Sequence, residues 1–160
     1  MTEIEAAKKR AVSAMEMFLR NFSKVPDERL HWQAAPGAKS PLRIAAHTAL
    51  YAVRFAAMME TRVLPQPDNL DEWLAAREQE ERVVKSREEV EAAFRVGTER
   101  VLAAMDALKP EDMDLILESG QGWSMPMRFL VDLPATHANL HCGQIDFLQT
   151  CWGDQEVYVG

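Results

Sequence analysis

His137 and His141 stand four positions apart inside an apolar helical repeat, and that pairing constrains the fold more than any other feature of the chain. On an α-helix such residues share one face, a turn apart, so both imidazoles aim at a common point. The repeat Leu130, Leu133, His137, Leu140, Ile145 and Leu148 predicts that the rings face the interior, where polar groups need partners. Two readings are open: hydrogen bonding to backbone or carboxylates, or chelation of a metal ion. A third ligand from another element favours the second.

The rest of the chain predicts helices for that pair to pack against. Ile4, Ala7, Ala11, Ala14, Met15 and Phe18 follow a 3.6-residue period, predicting a helix from Glu3 to Asn21. Pro36-Gly37 marks a turn, and Ser40-Pro41 supplies an N-cap and a first-turn proline for a second helix reaching Arg62. That helix is apolar around most of its circumference, which predicts burial, and it carries His47. If it neighbours the last helix, one ion can collect His47, His137 and His141.

Asp71 to Arg77 reads as a short connecting helix and Arg77–Arg82 as a solvated charged connection. Ser86 and Glu89 form a capping box for a third long helix with the stripe Val90, Phe94, Gly97, Val101, Met105 and Leu108, ending before Pro110. Leu115, Ile116 and Leu117 are candidate buried residues in a short segment of unassigned structure. The last helix is expected from Ser124 and Pro126 to about Trp152, with Pro134 bending it one turn before His137. Four long helices with few strand signals predict an all-α four-helix bundle, a single domain over residues 1–160.

Composition narrows the partners. Lysine and arginine total 18 against 25 aspartates and glutamates, a formal charge of −7 with no basic stripe, so nucleic acid and anionic membranes are not expected partners. No apolar run reaches membrane-spanning length and the N-terminus does not read as a signal peptide, so a cytoplasmic protein is expected. Cys142 and Cys151 would fall on opposite faces of one helix and read as free thiols. Trp32, Trp73, Trp123 and Trp152 read as core packing, with pocket lining the alternative, and His31 as a surface residue or a support behind the site.

Neutral imidazoles suit Zn²⁺, Ni²⁺ and related borderline ions, and three of them leave a coordination position for water or substrate. Ala138 follows His137, so the glutamate of an H-E-x-x-H protease is missing. Gln144, one turn beyond His141, is the candidate for supporting the site from behind its ligands or for contacting a bound water or substrate. Asp132, Glu60 and Asp146 are the acids nearest the cluster in sequence.

Trp32-x-x-x-Pro36-Gly37-x-x-Ser40 leading into His47, followed by His137-x-x-x-His141-x-Gly143-Gln144-Ile145, resembles the DinB/YfiT-like superfamily of metalloenzymes. The resemblance covers nearly the whole chain, with Pro134 a departure from the pattern. It implies an up-down-down-up bundle, a divalent metal on His47, His137 and His141, and a homodimer. It also implies thiol-dependent S-transfer, with a low-molecular-weight thiol as co-substrate, or hydrolysis of a small electrophilic substrate. A non-catalytic metal- or small-molecule-binding stress-response protein is the alternative, and a metal-free bundle with hydrogen-bonded histidines the simplest one.

Overall fold

The computed structural model describes residues 1–158. Five helices carry the chain: α1 (Glu3–Ser23), α2 (Pro41–Thr61), α3 (Leu70–Val83), α4 (Arg87–Asp106) and α5 (Met127–Cys151). A small antiparallel hairpin, β1 (Ile116–Glu118) with β2 (Ser124–Pro126), joins α4 to α5. Among the described residues no helix is long and apolar enough to cross a membrane.

Local chemistry sets the helix starts. The Thr2 hydroxyl accepts from the Glu5 amide and the Glu5 carboxylate accepts from the Thr2 amide, satisfying two first-turn donors of α1. Ser40 accepts from the Arg43 amide with Pro41 at the first position of α2, and Ser86 accepts from the Glu89 amide at α4. Asn69 caps α3 through the amides of Asp71 and Glu72.

Contact order along the helices gives their directions. Glu3 meets Arg128, Arg10 meets Asp132 and Asn21 meets Asp146, so α1 and α5 run parallel. Lys8 pairs with Asp106, Phe18 stacks on Phe94 and Arg87 donates to the Phe22 carbonyl, so α4 runs against α1. Gly97 abuts Ala49 and Ala52 while Arg100 pairs with Glu60, so α2 runs with α4. The result is the expected up-down-down-up bundle of α1, α2, α4 and α5. Its core centres on Phe18, whose ring lies 5.0 Å from Phe94 and 6.4 Å from Phe22, all three fully buried. The expected stripe of α4 is buried throughout.

Several expectations fail. Arg77–Arg82 is not a solvated connection; it continues α3 through Val83 and buries Glu81. Ser124 belongs to β2, and α5 starts only at Met127, after the hairpin has turned through Gly120 and Gly122 at φ of 73° and 85°. Within the short segment Leu117 is buried and Ile116 exposed because β1 shows alternate faces, while Leu115, which precedes the strand, is also exposed. Leu140 is 66% exposed, since α5 buries an arc through Ala135, Ala138, Cys142 and Ile145 instead. Trp123 is also exposed, whereas Trp32 and Trp152 pack edge to face at 5.5 Å.

Candidate metal centre

The antiparallel packing of α2 on α5 brings the three histidines together. The Nε2 atom of His137 lies 3.2 Å from Nε2 of His47 and 3.1 Å from Nε2 of His141. One ligand atom from each ring lies within 4.8 Å of the others, a spacing that could hold a metal ion.

Outward hydrogen bonds orient two of the rings. Glu81 Oε1 accepts from His47 Nδ1 at 2.6 Å, and Gln144 Oε1 accepts from His141 Nδ1 at 2.7 Å. With Nδ1 carrying the proton, Nε2 of each ring keeps its lone pair and points it into the cluster. Lone pairs converging at this range repel unless a proton or a cation lies between them, so the donor set fits a borderline divalent ion. Gln144 thus contacts His141 and orients its ring, the supporting one of the two roles the sequence offered for it.

Burial disfavours the protonated form of His137 and His141. Burial, reinforced by His141, His47, Lys39 and Arg54, holds His137 down at about 3. Burial also lowers His141, against the opposing hydrogen bond from Gln144. Burial alone would push the Glu81 carboxyl up, but hydrogen bonds from His47, Lys39 and Arg43 prevail and bring it to about 2. Lys39 Nζ and Arg43 Nη2 approach Glu81 Oε2 at 2.6 and 3.1 Å, so the anion is neutralised twice over in a buried position.

Tyr51, one turn beyond His47, closes the inner side with its ring 4.4 Å from His47 and 5.1 Å from His137. Phe55 meets His137 edge-on at 5.3 Å. The other side opens into a cleft of about 620 Å³ whose wall includes His47, His141 and Gln144. None of the described tryptophans lines it.

The acids nearest in sequence are occupied elsewhere. Asp132 pairs with Arg10, Glu60 with Arg100, and Asp146 accepts from Asn21. Glu81, which sequence reading missed, lies 34 positions from His47. The available signal was the absence of any glycine or proline from Leu70 through Val83, which lets the α3 helix run on past Arg77 to Val83. Cys142 is buried against α1, where Asn21 Nδ2 lies 3.3 Å from its sulfur, and Cys151 is exposed.

Comparison with known proteins agrees with this architecture. No curated protein sequence matches the chain. The crystal structure of a DinB-like protein from Bacillus subtilis, YjoA, superposes with a TM-score of 0.64 at 16% identity, covering 95% of this chain and 94% of that one. The family model of the DinB superfamily matches residues 10–145, a span that takes in all three histidines, and the chain belongs to that superfamily.

Proposed function

We propose that this chain is a metal-dependent enzyme in which His47, His137 and His141 hold a Zn²⁺ or Ni²⁺ ion and a small-molecule substrate enters through the adjoining cleft. The observation that carries this reading is the convergence of three imidazole Nε2 atoms, two of them oriented by Glu81 and Gln144, at the wall of an open cleft. Such an ion supplies Lewis acidity at an exchangeable position, the chemistry needed to ready a thiol or a water for attack. Thiol-dependent S-transfer or hydrolysis on a small electrophile is therefore the proposed reaction class.

The protein's own side chains divide the work. Glu81 and Gln144 hold two rings in the tautomer that leaves Nε2 free. Tyr51 and Phe55 close the inner side, so access is confined to the cleft. The cleft favours the catalytic reading over a purely structural ion, whose site should be closed. The formal charge of −7 supports a small molecule over nucleic acid as partner. A homodimer completes the proposal by family resemblance, and a cytoplasmic location by the sequence pattern of the N-terminus.

The test is an assay of zinc- and nickel-loaded protein for transfer of a low-molecular-weight thiol to an aryl halide and for aryl ester hydrolysis. Turnover in at least one assay, abolished by chelation and by His137→Ala, is expected. Rates equal to those of free metal in buffer for both reactions would contradict the proposal.

A further inference from the structure

The wall of the cleft carries a charge pattern unlike the rest of the molecule. In a chain with 25 acidic residues, no carboxylate lines this cleft among the described residues, and the single ionised side chain on its wall is Lys39. Beside the histidines the wall is apolar: Ile44 on α2, with Leu140 and Phe147 on α5. Leu140 and Phe147 are 66% and 65% exposed, two large side chains two turns apart that nothing in the described chain covers.

These features select one kind of ligand. A cationic molecule would meet Lys39 and find no carboxylate on the wall to pair with, because Glu81 is buried behind the wall and already engaged by Lys39, Arg43 and His47. A highly hydrophilic one would leave Leu140 and Phe147 against water. An anion with an apolar body satisfies both sides, its head near Lys39 and the histidines and its body over Leu140 and Phe147. The Lys39 side chain is 35% exposed, with Nζ 2.6 Å from Glu81 Oε2 and 3.3 Å from His47 Nδ1. An ammonium has three donors, and with Arg43 also on Glu81 two cations share one buried anion, leaving a net positive charge at the wall. The cleft, at about 620 Å³, lies within the size range of small-molecule sites.

We infer that the cleft binds an apolar monoanion, an alkyl or aryl carboxylate, with Lys39 as the anion contact and Leu140 and Phe147 as the apolar wall. This inference rests on the metal-site reading above and deepens it by naming the ligand class.

The test is calorimetric titration of zinc-incubated protein with octanoate, octanol and octylamine, with zinc content measured on the same sample. Octanoate is expected to bind about tenfold more tightly than octanol, with octylamine weakest, and Phe147→Asp to lose about tenfold in octanoate affinity. Because Phe147 is exposed, that variant should keep the native melting temperature, and a circular dichroism melt verifies it. Zinc present with octanoate no tighter than octylamine overturns this inference and leaves the metal site standing. Absence of zinc overturns the metal reading, and this inference with it. If Phe147→Asp dissociates a dimer while octanoate binds both chains equally, a second copy covers the wall and the inference fails.

Discussion

Glu81→Ala is expected to weaken zinc binding by about 10- to 100-fold, because His47 loses the acceptor that fixes its ring and tautomer. The same change should lower the stability of the metal-free chain. Removing one member of a buried ion cluster typically costs about 3–5 kcal/mol, and the loss here should lie near 2–3 kcal/mol because water reaches the partly exposed Lys39. Glu81→Gln separates the two effects. Its amide oxygen can still accept from His47 Nδ1, so zinc affinity should fall less than in Glu81→Ala, while Lys39 and Arg43 still lose their anion. Competition with a chromogenic chelator and urea denaturation of metal-free protein measure the two quantities. Native values for both in Glu81→Ala would remove Glu81 from the account.

The second large effect is expected at the crossing of α2 and α4. A Cβ built on Gly97 would lie 2.8 Å from the Ala52 Cβ and 3.1 Å from the Ala49 carbonyl oxygen. Neither neighbour is the tip of a flexible side chain, so α2 itself must move. Gly97→Leu is therefore expected to destabilise the chain by about 3 kcal/mol, the upper part of the overpacking range. It should also disturb His47, which lies on α2 just before Ala49. Gly143→Ala is the contrast: a Cβ there meets nothing within 4 Å on an exposed helix face, so propensity alone should stabilise by about 1 kcal/mol. Opposite signs in urea denaturation are the expected result, and equal signs would contradict the close approach of α2 and α4.

The parts of the fold legible in the sequence were those governed by local chemistry. Ser40-Pro41 and the Ser86 cap marked helix starts because they satisfy first-turn amides wherever they occur, although the Glu89 carboxylate accepts from the Lys85 amide and not from Ser86, so the full box does not form. The α4 stripe was legible because large apolar residues recur there at helical period and every one of them is buried. Leu140 was misplaced for a related reason. Helix α5 packs against both α1 and α2, and close approach selects the small residues Ala135 and Ala138 for the interior, leaving a large leucine outside. Periodicity of bulky residues cannot detect an interior arc built from alanines.

The candidate site divides in the same way. His137 and His141 lie on one turn, and His47 follows a cap and turn pattern, so all three were visible and the structure brings them together. Glu81 was hidden in a run of alternating charges whose composition signals solvent. Its burial depends on Lys39, Arg43 and His47 arriving from other segments, and such nonlocal neutralisation has no local signature. Gln144 was marked as a site residue that supports a ligand or meets substrate, and the geometry identifies His141 as the ring it bonds.

The most direct measurement is the metal content of protein purified without a polyhistidine tag, incubated with Zn²⁺ and desalted, for the native chain and His137→Ala. The account predicts about one equivalent of zinc in the native protein and its loss in the variant. A native protein that retains no zinc, or a variant that retains as much as the native chain, would contradict it.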